Sequence, residues 1–267
     1  MKVYILDNGF LECDLNWMVA MSVHGTRDDP TPRTKWIQIP VYSVLIDHPD
    51  GRILYDTGCH PDAMTGHWPN GMQSVFPYHH ETTQRLISQL ALVDMTPDDI
   101  KTVVLSHLHL DHAGNIDLFP HADIYVPKED FEYADKLVHR SINPGEHGAY
   151  IKAEIEATPR GVHLIEKDTE LAPGVHMITL RGHTPGLIGL IVELPNEGTL
   201  IFPQDAIYTQ TNYGPPAKAS GLMYDSVAYF ESIEKVRELE KTLNARVIFP
   251  HDMAFFRTLK LAPAYYD

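Results

Sequence analysis

A chain of 267 residues with 43% hydrophobic and 21% charged side chains can bury a sizeable core, which excludes the disordered and fibrous classes. Its formal net charge of −15, spread along the chain, repels nucleic-acid phosphates and anionic lipid, so neither nucleic acid nor a membrane is expected as a partner. No apolar run approaches the length of a membrane span or a signal sequence, and Cys13 and Cys59 are too few for a disulfide framework, so a cytoplasmic protein with free thiols is expected.

Taken in chain order, short runs of Val, Ile, Leu and Tyr at 41–46, 53–55, 103–105, 124–126, 187–194, 200–202 and 247–249 read as largely buried strands. The segment 59–80 has no regular period and carries His60, His67, Trp68, Phe76, His79 and His80, which predicts a long functional loop. From about Glu81 to Val93 a helical pattern puts Leu86, Ile87 and Leu90 on one face. Thr96-Pro97-Asp98-Asp99 then supplies a cap, a first-turn proline and acidic residues at the start of a short helix. A second irregular stretch runs over 138–160, with Pro144, Gly145, Gly148 and Pro159. The clearest helix lies between Val227 and Leu243, where Phe230, Ile233, Val236, Leu239 and Leu243 recur at helical spacing. Two groups of strands, each followed by helices, predict an α/β architecture of two sheets packed face to face with helices outside, forming one domain over 1–267.

The strongest chemical signal is Ser106-His107-Leu108-His109-Leu110-Asp111-His112-Ala113-Gly114, directly after the strand at 103–105. In extended backbone, residues two apart face the same way, so His107 and His109 converge on one ion while the following turn aims Asp111 and His112 at a second. A lone His-x-His pair is more often a half-exposed loop than a metal site. Here the pattern of a strand ending in a ligand-capable side chain recurs at Arg181-Gly182-His183, at Asp205 and at His251. Sites in α/β proteins lie beyond the carboxyl ends of strands, so these side chains can face one crevice. His107, His109 and His183 make one set of ligands, Asp111, His112 and His251 a second, and the two oxygens of Asp205 can bridge them. That donor count suits two divalent ions, with zinc expected first and cobalt, manganese and iron compatible. Asp56 also ends a strand and reads either as a carboxylate that orients a ligand histidine or as a turn former before Thr57-Gly58.

These motifs resemble the metallo-β-lactamase superfamily, whose H-x-H-x-D-H signature corresponds to His107 through His112 and whose later ligands match His183, Asp205 and His251. The resemblance spans most of the chain and implies an αββα sandwich of the metallo-β-lactamase type with the metals at one edge. Within the superfamily the chain is similar to the N-acyl homoserine lactonases and related γ-lactone hydrolases. Asp205-Ala206-Ile207-Tyr208-Thr209 resembles their segment with the bridging Asp and a catalytic Tyr three residues on, and Pro250-His251-Asp252 resembles their Gly-His-Asp. The opening stretch, with Trp17, Met18 and Met21, looks like the segment that helps line their acyl pocket, to which Trp68 and Phe76 are added as candidates. One departure stands out: after Gly182-His183-Thr184-Pro185-Gly186 the chain continues Leu187-Ile188-Gly189-Leu190, where the lactonases usually carry a second His and a Ser.

The resemblance implies a dinuclear metal-dependent hydrolase that opens the ring of an N-acyl homoserine lactone, a quorum-quenching reaction, with a hydroxide between the metals as nucleophile. Asp111 is expected to move the proton and Tyr208 to stabilise the developing oxyanion. Two other hydrolase readings share the same metals, namely a small-lactone hydrolase of the γ-butyrolactone type and a thioesterase similar to glyoxalase II. A non-catalytic metal-binding protein is the reading from a different class. Related lactonases often form homodimers, and nothing in the sequence defines an interface.

Overall fold

The strands are apolar on both faces because each face meets a different layer. In the computed structural model, which describes residues 1–158 and 161–267, β1 (Lys2–Asp14), β2 (Trp36–His48), β3 (Gly51–Tyr55), β4 (Tyr78–His79), β5 (Thr102–Val104), β6 (Asp123–Pro127) and β7 (His163–Ile165) form a mixed sheet ordered β4-β1-β2-β3-β5-β6-β7. A second sheet, ordered β12-β11-β10-β9-β8, is built from β8 (Thr169–Ala172), β9 (Val175–Thr179), β10 (Ile188–Leu194), β11 (Gly198–Phe202) and β12 (Arg246–Val247). Strand residues alternate between faces, so Val3, Ile5, Val44 and Ile46 of the first sheet join Met177, Leu190, Val192 and Phe202 of the second in the central core. The intervening Tyr4, Leu6 and Leu45 pack outward with Leu86 and Leu90, while Ile191 and Ile201 pack outward with Tyr229, Ile233 and Val236. Helices therefore cover both outer faces, giving the expected α/β sandwich.

The 13-residue strand β1 is not expected from the sequence pattern. Asp7, Asn8 and Gly9 interrupt its apolar pattern, and the pairing of β1 with β2 shifts register between Asp7 and Phe10. Gly9 has a φ of +91°, so a bulge, rather than a chain break, accounts for the lost alternation. The predicted strand at 247–249 is shorter than expected: β12 ends at Val247, although the Ile248 N–H still bonds the Ile201 carbonyl at 2.9 Å.

The helix expected over 81–93 is a single turn at Thr82–Gln84 followed by a helix at Leu86–Ala91, and Ile87 points to solvent, 52% exposed, while Leu86, Gln89 and Leu90 are buried. The long helix spans Ser226–Leu243, capped by Asp225, whose carboxylate accepts from the Val227 and Ala228 N–H groups. It buries Tyr229, Ile233 and Val236, and leaves Phe230 exposed. Thr96 starts only a one-turn helix, Pro97–Asp99, with its N–H and hydroxyl both bonded to Asp99. The predicted loop 59–80 contains a turn at Ala63–Thr65, a helix at Asn70–Val75 and β4. The stretch 138–160 begins inside the helix Lys128–Arg140 and includes a second helix, Lys152–Ala157; Pro159 and Arg160 lie outside the described residues.

Cys13 and Cys59 are both free and buried. Burial pushes the Cys13 thiol up to about 12 and the Cys59 thiol well above its ordinary range, with the nearby carboxylates adding to the effect. Neither thiol is expected to react with an aromatic disulfide reagent in the native protein at pH 8, and both should react once the chain is unfolded in guanidinium. Rapid labelling of the native protein would contradict this burial. Among the described residues no helix is long and apolar enough to cross a membrane.

Candidate metal centre

Five chain segments that leave strand ends meet at one edge of the sandwich. After β5 the chain passes through the buried Leu105 and Ser106 into His107–His112, and Leu108 and Leu110 turn into separate apolar clusters. The loop is held by the turn after β3, where Thr57 N–H donates to the His112 carbonyl at 2.7 Å and Gly114 N–H to the Gly58 carbonyl at 2.8 Å. A Cβ on Gly114 would lie 2.2 Å from the His60 nitrogen, so this close approach of two backbones requires glycine. The same logic fixes the next ligand: Gly182, at φ +121°, would set a Cβ 2.2 Å from the Tyr229 nitrogen, and this packing against the long helix aims His183 inward.

The structure brings the seven predicted residues together. His107, His109, His183 and Asp205 offer ligand atoms within 4.8 Å of one another, and Asp111, His112 and His251 form a second such group. Asp205 lies between the groups. Its Oδ2 is 3.6 Å from His107 Nε2 and 3.2 Å from His183 Nε2, while its Oδ1 is 3.2 Å from His112 Nε2 and 3.0 Å from His251 Nε2. Asp111 Oδ2 is 3.6 Å from both His112 Nε2 and His251 Nε2.

Four histidines are tied down through Nδ1, which leaves Nε2 for the centre. His112 Nδ1 meets Asp56 Oδ2 at 2.8 Å, His107 Nδ1 meets Ser106 Oγ at 3.0 Å, His183 Nδ1 meets the Leu222 carbonyl at 3.2 Å, and His251 Nδ1 meets the Pro40 carbonyl at 3.2 Å. Each contact orients a ring, and an Nδ1–H donated there leaves the Nε2 lone pair facing the centre. His109 is the exception, with its Nδ1 facing His183 Nε2 at 3.0 Å. His107 Nε2 and His112 Nε2, one in each ligand group, are buried without a hydrogen-bond partner although an oxygen of Asp205 is close to each. Five imidazoles and two carboxylates with orphaned, converging nitrogens fit two divalent cations.

The electrostatics divide the candidate ligands into two kinds. Burial, reinforced by the neighbouring histidines, holds His107 and His109 well below the ordinary imidazole range, which is the neutral form a metal requires. Burial opposes charge at His112 and His251 too, but carboxylates outweigh it: Asp111, Asp205 and Asp56 raise His112, and Asp205 and Asp111 raise His251. For Asp205 burial is overcome by His112, His251, His183 and His107, and its carboxyl sits well below the usual range.

Asp56, buried with a φ of +59°, accepts from the Ser106 N–H (2.6 Å), the Ser106 hydroxyl (2.9 Å) and Gln204 Nε2 (2.6 Å) in addition to facing His112. Asp56 thus meets the His112 ring and three further donors from within the turn before Thr57-Gly58. Ser106 and Gln204 were not singled out from the sequence, although each directly precedes a candidate ligand. The carbonyls of Pro40 and Leu222 carry no sequence signal, because any residue supplies one.

An apolar slot opens on the centre. Its reactive wall holds His109, Asp111, Asp205, Tyr208 and His251, and its apolar wall includes Leu11, Trp17, Met18, Ile39 and Phe76. Two predicted pocket residues are elsewhere. Met21 is 68% exposed on a turn with φ +58°, and Trp68 is 1% exposed, packed with Tyr78 in the layer beneath the slot. Both hydrophobicities were visible in sequence, but the direction of each side chain was not. Tyr208 is buried at the slot floor, its oxygen 3.2 Å from His183 Nδ1, and burial keeps its phenol protonated far above neutral pH. Leu187 and Ile188, which open the apolar segment after Gly186, are fully packed in two core clusters rather than in the slot.

Fold and centre together define a dinuclear metallohydrolase scaffold. A model of the metallo-beta-lactamase superfamily matches residues 36–251, and the chain belongs to that superfamily. The N-acyl homoserine lactonase AiiB of Rhizobium rhizogenes is 38% identical over 277 aligned positions, covering 100% of this chain and 99% of the relative. The N-acyl homoserine lactonase AttM of Azorhizobium caulinodans is 29% identical, covering 100% and 98%. Among solved structures, a mutant of B. thuringiensis AiiA with N-decanoyl-L-homoserine at its active site gives a TM-score of 0.82 at 26% identity, covering 99% of this chain and 98% of that one. An N-acyl homoserine lactone hydrolase with the product N-hexanoyl-L-homoserine at its catalytic metal center gives the same score, identity and coverage.

Proposed function

We propose that this protein opens the lactone ring of N-acyl homoserine lactones as a two-metal hydrolase, with residues 1–267 acting as one domain. The observation that carries the reading is Asp205 placed between two ligand groups, with Tyr208 beside them at the floor of an apolar slot. Full-length relatives that bear the name of this activity support it. The ligands proposed are His107, His109 and His183 for one ion, Asp111, His112 and His251 for the other, and Asp205 for both. Zinc is the first choice for a set rich in imidazole, and two bound divalent ions supply a water acidified to near neutral pH and a Lewis acid for the carbonyl.

The residues of the chain account for the remaining steps. The Tyr208 oxygen faces the His183 ring, so its proton is free for a carbonyl oxygen in the slot and for the negative charge that grows there. Asp111, partly open to the slot, accepts a proton on a carboxylate oxygen as water adds to the carbonyl carbon. It returns that proton to the ring oxygen as the carbon–oxygen bond of the ring breaks, and the product is the open hydroxy acid. The apolar wall excludes bulk water and receives the uncharged ring, so the net negative charge of the protein imposes no barrier to entry. A glutathione thioester would need cationic partners, and none of the slot residues is Lys or Arg.

Tyr208→Phe is expected to lower kcat by about a hundredfold, the usual cost of one oxyanion donor, with a smaller change in KM. Equal kcat in the variant would remove Tyr208 from the reaction. The function itself is tested by incubating zinc-loaded protein with N-hexanoyl homoserine lactone, γ-butyrolactone and S-lactoyl glutathione side by side, with products identified by mass. Fastest gain of one water by the homoserine lactone is expected, and faster thioester cleavage would overturn the reading. A cytoplasmic location and homodimeric assembly are carried over from the two free thiols and from the resemblance, respectively.

A further inference from the structure

Four of the five imidazoles in the centre are tied through Nδ1, and His109 is the one that is not, because its Nδ1 faces inward to His183 Nε2 at 3.0 Å. Its ring is held from outside the centre instead. Asp130 stands in the first turn of the helix Lys128–Arg140, has no exposed surface, and plays no part in the chemistry above. A carboxylate buried this deeply is destabilising unless it is hydrogen-bonded, and both of its oxygens are engaged. Its Oδ2 accepts from the Leu108 N–H at 2.8 Å, between two candidate ligands, and its Oδ1 accepts from the Tyr150 hydroxyl at 2.5 Å.

Tyr150 carries the support on to the ligand. Its ring packs edge-on against the His109 ring, with centroids 4.6 Å apart and planes at 70°. The residue before it, Ala149, takes the Leu110 N–H on its carbonyl at 3.0 Å. The N–H groups on both sides of His109 therefore bind a single unit made of Asp130 and Ala149-Tyr150, and the tyrosine of that unit covers the imidazole between them. The same helix turn backs the loop after His183, where a Cβ on Gly186 would lie 3.3 Å from the Asp130 nitrogen.

We propose that Asp130 is a positioning residue for His109, acting through the Leu108 N–H and the Tyr150 hydroxyl, so that each ligand group has its own buried carboxylate behind it: Asp56 behind His112 and Asp130 behind His109. The proposal rests on the two-metal part of the reading above and not on the substrate. Its consequence is that the two ions are supported separately, and one can be weakened without the other.

The test is zinc binding by metal-free protein in competition with a chelating dye, for wild type, Asp130→Ala, Tyr150→Phe, His109→Ala and the double variant Asp130→Ala/His109→Ala, with circular dichroism and melting temperature as checks on folding. Asp130→Ala is expected to weaken one of the two zinc dissociation constants by about 10–100-fold, the usual cost of losing a partner that orients a metal ligand. The other should stay within about twofold of wild type, the scatter between uncoupled sites. Tyr150→Phe keeps the ring, removes only the hydroxyl, and is expected to weaken the same constant. In the His109→Ala background, Asp130→Ala should add no more than about twofold, because the ring it holds is gone. A merely structural Asp130 would lower the melting temperature and leave both constants at their wild-type values. That result, an equal loss at both ions, or a full loss persisting in the double variant would overturn the proposal. If Asp130→Ala does not fold, Tyr150→Phe decides alone, and unchanged zinc constants in it overturn the proposal. Wild type that binds two zinc ions and opens no lactone ends the lactonase reading and leaves Asp130 to be judged by the zinc constants, whereas wild type that binds no zinc ends both.

Discussion

Replacing Asp205 by asparagine is expected to reduce lactone turnover by about a thousandfold, several kcal/mol of transition-state stabilisation, and to leave the chain with fewer than two metals. The carboxylate is buried, and its two oxygens divide four imidazoles between them, at 3.6 and 3.2 Å on one side and 3.2 and 3.0 Å on the other. Those imidazoles hold the carboxyl well below its ordinary range against the opposing effect of burial, so a full negative charge sits where both ligand groups meet. An amide of the same shape withdraws that charge and turns two N–H donors toward groups that must present lone pairs to cations. Metal analysis by plasma mass spectrometry alongside initial rates reads both effects. A variant with two metals and undiminished turnover would remove Asp205 from its bridging place.

The second large effect is expected at a residue that touches no substrate. Asp56→Ala strips a buried acceptor from four donors at once: the N–H and hydroxyl of Ser106, the His112 ring and the Gln204 amide. Leaving such groups buried and unpaired costs about 3–5 kcal/mol of stability. It also frees the His112 ring, for which a loss of about 10–100-fold in metal affinity is the usual consequence. Urea unfolding with and without zinc separates the two contributions. A midpoint equal to wild type in both conditions would contradict the orienting role of Asp56.

How much of this was legible in the sequence depended on the kind of information each feature carries. The seven candidate ligands stand in loops that leave strand ends, and a strand end is visible where an apolar run stops at a polar residue, so their convergence is expected from the α/β pattern. β10 and β11 are readable because Ile188–Val192 and Leu200–Phe202 are buried on both faces and carry no charged residue. β1 is not, because the bulge at Asn8-Gly9 breaks the alternation that marks a strand. Spacing alone puts Ile87 and Phe230 on buried helix faces, whereas Gln89 and Tyr229 hold the inward positions in the docked helices. Direction is also what separated Met21 and Trp68 from Trp17, Met18 and Phe76: five apolar residues near the site, of which three line the slot. The supports supplied by backbone, the Pro40 and Leu222 carbonyls, depend on tertiary position and leave no trace in residue type.

The central claim is that two metal ions in this centre drive lactone opening, and a zinc titration of metal-free protein, followed by acid release from N-hexanoyl homoserine lactone, tests it most directly. The rate is expected to climb with added zinc and to level off at two equivalents per chain. Full turnover without metal, or no lactone opening when two equivalents are bound, would contradict it.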